Sequence, residues 1–447
     1  MKKIIVLLML MTVVIGMISC TSEASTFEKQ IEEVKAADIV EEEEHPNSIE
    51  ATLVVQCDSK WLPYYKKIRA IVEVEYPDST IEILVDESVD HLNKVMKLPS
   101  DNSEVADVYI IPYDKFDEFY NQGKIGEINS DFIASAIGAD VNKSEYKYFF
   151  RDNTFYGFPV GLESVIAYVN EINSGNEGVN IEGSISINSL EQNNAIVPIY
   201  EKEVAQLILP QWDFEFLTTN AEGVLTTDFS TDYDDLTPEM QTLFSATYDY
   251  WRLYNETDVW NPGVVRKTMF DMFKTGSKNT LLIGSSDHRK LSRDISEYSG
   301  ITTVPLGQLT FANKQLSTIQ NGWGIVTNSR IDGDENKKLL SEVFVSELLS
   351  PINASEYYLY TNFIMPHAIE KDFESLDSLT ISTINTVLES YSKLADFDSK
   401  TYNDVTYDLW KQSVLSWEVE DPDDAEEAYE ILQEAFLSVI DQGGSDD

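Results

Sequence analysis

Four histidines (His45, His91, His288 and His367), two cysteines (Cys20 and Cys57) and 78 acidic side chains are the groups of this 447-residue chain that could do covalent or metal chemistry. The histidines fall in no His-Glu-x-x-His pair, and no Gly-x-Ser-x-Gly turn presents a nucleophile. Carboxylate pairs able to act as acid and base in glycoside cleavage arise by chance at this acid content. Cys57 lies between Gln56 and Asp58, neither of which would lower a thiol's pKa, so it reads as a small buried hydrophobe. The expectation is a protein without catalysis, cofactor or resident metal. A secreted carbohydrate-acting enzyme built on two of the carboxylates is the alternative.

The scaffold that would position a site starts only at residue 51. Ahead of it, an apolar run over residues 4–10 follows Lys2 and Lys3, and the segment closes on Met17-Ile18-Ser19-Cys20. This reads as a secretory signal over residues 1–19, too short to remain as a membrane span. Its end resembles the lipobox of bacterial lipoproteins, which implies that Cys20 becomes an acylated N-terminus anchored in the membrane. With Cys20 taken, Cys57 has no disulfide partner. Residues 20–50 then form the lipidated end and a polar, self-repelling tether containing the run Glu41-Glu42-Glu43-Glu44.

From Ala51-Thr52-Leu53-Val54-Val55 the pattern predicts a buried strand, a helix over 62–75, a turn at Tyr76-Pro77-Asp78 and a second strand over 80–85. A third strand over 106–111 leads into a helix over 115–122 that Gly123 stops. This alternation is an α/β chain with a mainly parallel sheet, whose ligands sit at the carboxyl ends of the strands. The loops at 57–61 and 112–115 should therefore face one site. At 447 residues the chain exceeds a single hydrophobic core, so two lobes are expected. The net charge of −46 repels nucleic acid and anionic headgroups, and acidity this dispersed reads as solubility.

Four further strings lie in order along the chain: Leu53-Val54-Val55 through Tyr76-Pro77 to Ile81-Glu82-Ile83; Ala106-Asp107-Val108-Tyr109 with Asp114 and Gly123-Lys124-Ile125; Tyr156-Gly157-Phe158-Pro159-Val160 with Glu163 and Ala167-Tyr168-Val169-Asn170; and Asn321-Gly322-Trp323-Gly324-Ile325-Val326. In this arrangement the chain resembles the extracellular solute-binding proteins of ABC importers, nearest the maltose and maltodextrin branch (family 1). The resemblance implies a two-lobed periplasmic-binding-protein-like α/β fold with hinged lobes, each a mainly parallel sheet flanked by helices. The implied lobes are 51–161 plus 306–362 and 162–305 plus 363–447.

The same resemblance implies a monomer that closes on a small solute, most simply an oligosaccharide, and hands it to ABC permease subunits with their ATPase. Sugars are held by flat aromatic faces and by planar polar groups. Residue by residue, the likeness places Asp58 and Lys60 in the first-strand loop with Trp61 beside them, Asp114 and Lys115 in the third-strand loop, and Glu163 past the first crossing. Glu201 falls where relatives carry a Glu, and Tyr407, three residues before Trp410, falls on a helix that lends an aromatic. At Gly284-Ser285-Ser286-Asp287 relatives have a stacking Trp that this chain lacks, so either Trp323, Trp260 or Trp251 replaces it or the ligand is not a maltodextrin. Non-sugar cargo is the other reading of the clamp: a polyamine, a peptide, or ferric iron on Tyr357-Tyr358, since phenolates suit that hard cation.

Overall fold

The computed structural model describes residues 48–171, 185–187, 195–196, 198–209, 212, 214–219, 224–289, 291, 300–316, 321–391 and 404–443. The signal segment, Cys20 and the tether up to residue 47 lie outside the described residues. Nine strands carry the architecture: β1 (Ala51–Cys57), β2 (Ser79–Val85), β3 (Val108–Pro112), β4 (Phe158–Glu163), β5 (Val165–Asn170), β6 (Ala195–Ile196), β7 (Thr280–Gly284), β8 (Ile301–Val304) and β9 (Asn321–Thr327).

They form two sheets, in the orders β2-β1-β3-β9-β4 and β8-β5-β7-β6. In the first, β1 runs parallel to β2 and β3, while β9 is antiparallel to both β3 and β4. In the second, β5 is antiparallel to β7 and β8, while β7 is parallel to β6. Each sheet is therefore mainly parallel in direction, with one reversed strand. The chain has the two-lobed periplasmic-binding-protein-like α/β fold.

Alternation along β3 shows why the sequence carries unbroken apolar runs. Val108 and Ile110 pack on one side with Leu53, Val55 and Ile68, whereas Tyr109 and Ile111 pack on the other with Leu92, Phe116 and Phe149. A sheet covered on both faces has no polar face to alternate with. The helix Leu62–Glu75 begins with Pro63 in its first turn and buries Tyr64, Tyr65, Ile68 and Val72, a stripe at helical spacing. Each such burial contributes roughly 1.5–3 kcal/mol. Gly123 sits at φ 63°, the left-handed region that closes the helix Phe116–Asn121. The residues over 345–360 are divided between two helices. Glu335–Leu348 ends before Pro351, and Ala354–Thr361 restarts after it, since proline removes a donor and clashes with the preceding turn.

Candidate functional site

The first crossing is a single residue. Glu163 ends β4, Val165 begins β5, and Ser164 between them accepts the Ser285 N–H through its carbonyl (2.8 Å) and donates its own N–H to Ser285 Oγ (3.2 Å). Beside it, the Leu162 N–H donates to the Ile364 carbonyl at 2.9 Å, so a later segment pairs with the same crossing. Because β1, β3 and β4 point the same way, their carboxyl ends lie along one edge of the first sheet. The carboxyl ends of β7 and β8 lie on the edge of the second sheet where β5 starts. Both edges thus converge on Ser164, the arrangement in which α/β sheets bind ligands.

On the first edge the ladders set Pro112, Trp323 and Gly161 in one row and Asn321 opposite Glu163. Asp58, directly after β1, is half-buried. Its Oδ1 accepts from the Ser88 N–H (2.8 Å), from the Ser88 hydroxyl and from Gln56 Nε2 (3.1 Å), which fixes the start of the helix Ser88–Lys97. Burial raises its pKa against the pull of those bonds. Lys60 and Asp114 are exposed, and Lys115 is half-buried with Glu118 at 3.9 Å. Trp61, 7 % exposed, meets the Phe363 ring edge-on at 5.3 Å, and Phe363 in turn stacks on the half-buried Trp323 at 5.8 Å. Asp58, Lys60, Trp61, Asp114, Lys115, Glu163 and Trp323 are thereby brought to one edge.

The glycines of β9 have a packing role: a Cβ on Gly324 would overlap the Phe149 ring, and one on Gly322 would meet the Gly161 carbonyl. Phe363 escapes sequence reasoning. It sits in a loop with no periodic pattern, and its only sequence signal is Gly161, whose missing side chain leaves the ring its place.

On the second edge Glu201 precedes the helix Lys202–Ile208 and pairs with Lys411 Nζ at 3.2 Å. It borders a hollow walled by Val165, Val204, Val265, Met269, Phe270 and Ile283. Arg266 and Asp287 border the hollow too, joined at 3.1 Å. Sequence reasoning misses both, because they lie on separate elements that only the fold brings together. Tyr407 is placed elsewhere. It is 2 % exposed in the core beside Trp410, whose indole N–H donates to the Ile199 carbonyl (2.8 Å). Trp251 and Trp260 are likewise core residues, which leaves Trp323 as the edge tryptophan among the three.

Burial also sets the state of the described cysteine and histidines. Burial pushes the Cys57 thiol up to about 12. His91, His288 and His367 are all held low by burial, the last two at about 4. His288 lies among Tyr168, Thr383 and Thr380, whose hydroxyl is 2.8 Å from Nε2, and Asp377 and Arg289 are the charges that act on it. The unfolded chain takes up a proton near pH 6.5 that the folded one refuses until about 4. This contribution to stability is therefore intact above the upper value and lost as pH falls through the window. Melting of the wild type and His288→Gln at about pH 7.5 and about pH 4.5 checks this. The wild type should lose more on acidification; equal losses would contradict it.

Among the described residues no helix is long and apolar enough to cross a membrane. No protein-family model and no curated protein matches the sequence. Solved structures do match the fold, and solute-binding proteins are among them. The maltose-binding protein MalE of Listeria monocytogenes, solved with maltose, superposes with a TM-score of 0.62 at 14% identity, over 88% of this chain and 99% of that one. MalX of Streptococcus pneumoniae, solved with maltopentaose, gives 0.57 at 16% identity over 87% and 100%. A family 1 extracellular solute-binding protein of Alicyclobacillus acidocaldarius gives 0.58 at 14% identity over 88% and 99%.

Proposed function

We propose that the protein is the substrate-binding lipoprotein of an ABC importer, anchored outside the cytoplasm through Cys20, which captures an oligosaccharide between its lobes and delivers it to the permease. The lobes we assign are 51–163 plus 306–362 and 165–305 plus 363–447, which moves the first boundary from the sequence-based 161 to Ser164 because Leu162 and Glu163 still pair with β9. The carrying observation is the pair of strand-end edges that meet at that single residue, with carboxylates and tryptophans on one side and Glu201, Arg266 and Asp287 on the other. A solute touching both edges favours the closed form by its differential affinity, and no covalent step is needed. The neighbours of like fold that were solved with maltose and maltopentaose support a sugar.

Cargo charge can be weighed from the edges. Asp58 is committed to Ser88 and Gln56, Glu201 to Lys411 and Asp287 to Arg266, so these carboxylates meet a ligand already partnered. Lys411 and Arg266 balance the charges of Glu201 and Asp287, which favours a neutral, hydroxyl-rich solute over a polyamine. Ferric iron is disfavoured because Tyr357 and Tyr358 are both buried and the Tyr357 hydroxyl donates to the Val160 carbonyl at 2.9 Å.

Thermal-shift measurements on the full chain test the reading. A cognate oligosaccharide at about a hundredfold its Kd should stabilise by about 2.7 kcal/mol, since it binds only the native form. Glu163→Ala should weaken that binding about tenfold or more without unfolding the protein. A shift with spermidine or ferric citrate and none with oligosaccharides would overturn the assignment.

A further inference from the structure

The loops at the carboxyl ends of β1 and β2 exchange hydrogen bonds through matching acid-serine pairs, Asp58-Ser59 and Glu87-Ser88. Ser59 donates its N–H (3.2 Å) and its hydroxyl (2.6 Å) to Glu87 Oε1, while Ser88 donates its N–H (2.8 Å) and its hydroxyl to Asp58 Oδ1. The buried Gln56 adds a third donor to that oxygen at 3.1 Å and is itself tied to the Asp86 carbonyl at 2.8 Å. A carboxylate oxygen offers about two acceptor positions, so Oδ1 is filled. Oδ2 receives no hydrogen bond from the described residues and is not sealed in the interior. Clamping of this kind removes in advance the side-chain freedom that a ligand would otherwise have to take away on binding.

We propose that Glu87-Ser88 is a positioning element of the binding site: it holds Asp58 so that only Oδ2 meets the ligand, and the group met there must donate a hydrogen bond, as a sugar hydroxyl does. This rests on the oligosaccharide-binding reading above and adds to it two residues that act through Asp58. A ring or glycosidic oxygen set against Oδ2 would oppose two acceptors, and a ligand carboxylate would add repulsion between like charges. The element therefore selects which face of a sugar can lie against the first-strand loop.

Calorimetric titration of the full chain with maltotriose and cellotriose tests the role in the wild type, Ser88→Ala, Ser88→Thr, Asp58→Ala and the combination of Ser88→Ala with Asp58→Ala. Ser88→Ala should weaken the sugar that binds by about three- to tenfold, the cost of ordering a side chain no longer held. Ser88→Thr keeps the hydroxyl and should recover most of that loss. In the Asp58→Ala background Ser88→Ala should have no further effect, since it acts only through the carboxylate. The loss of affinity on acidification should begin at higher pH in Ser88→Ala than in the wild type. The hydroxyl bond that favours the ionised carboxylate is then gone while Glu87, the charge facing it, remains, and the Cys57 thiol and Tyr65 hydroxyl beside it stay neutral. A Ser88→Ala penalty that persists without Asp58, no penalty at all, or an unmoved acid limb overturns the positioning role and leaves the oligosaccharide reading standing. Should Asp58→Ala fail to bind, the threonine recovery and the acid limb decide alone. Binding of neither sugar by the wild type removes the oligosaccharide reading and this role with it.

Discussion

Asp107→Ala should destabilise the protein by about 3–5 kcal/mol, the cost of breaking a buried ion pair from one side. The Asp107 side chain has no solvent exposure. Its Oδ1 accepts from Arg330 Nε at 2.6 Å, and its Oδ2 accepts the Val54 N–H at 2.8 Å with Lys337 Nζ at 3.6 Å. Its backbone also exchanges bonds with Val54 and Asn328, so one residue ties the beginning of β3 to β1 and to the segment after β9. Truncation leaves the Val54 N–H without that acceptor and removes the counter-charge of a guanidinium that is only 18% exposed and otherwise donates to the Ser100 and Asn102 carbonyls. Asp107→Asn keeps the shape and one acceptor, and should cost less. Urea unfolding should show the midpoint falling with the slope unchanged. Asp107 lies at the amino end of β3, opposite the binding edge, so the folded variant should bind ligand as the wild type does. A loss under about 1 kcal/mol would mean that the network is no stronger than a surface pair.

How far the sequence is legible depends on the range of the interaction that decides each feature. The helix Leu62–Glu75 can be read with its bounds because Pro63 starts it and Tyr76-Pro77 prevents its continuation, both local effects. The first edge is also legible, since parallel strands separated by helices must place 57–61, 112–115 and the end of β4 together, whatever their side chains do. Side-chain roles are less so. Asp58 looks like a free loop charge until Ser88, thirty residues on, is seen to occupy its Oδ1. Tyr407 and Trp410 share a helix face, and periodicity cannot say whether that face meets a cleft or a core; the burial of both puts it in the core. The hollow is assembled from β5, β7 and the helix Val265–Lys274, and no local pattern joins positions 165, 266 and 287.

The contact between Gly161 and Phe363 should have the second large effect, and a double-mutant cycle reveals it. A Cβ on Gly161 would lie 2.5 Å from Phe363 Cγ and 2.7 Å from its Cβ, closer than carbon atoms approach. The ring cannot swing aside cheaply, since it is 6 % exposed and held between Trp61 and Trp323. Gly161→Ala is therefore expected to cost about 2–3 kcal/mol by overpacking, and Phe363→Ala about 3–5 kcal/mol by leaving a cavity. The pair together should cost less than the two added, by more than about 1 kcal/mol, because the new methyl enters space the ring has left. Each single variant should also weaken binding of the proposed oligosaccharide, for displacing Phe363 removes the surface that sets the tilt of Trp323 at the edge. In the double variant stability should return further than affinity, since an alanine methyl fills part of the gap but cannot stack on an indole. Strict additivity in unfolding would show the glycine and the ring to be independent, and the first edge would then not be built around Phe363.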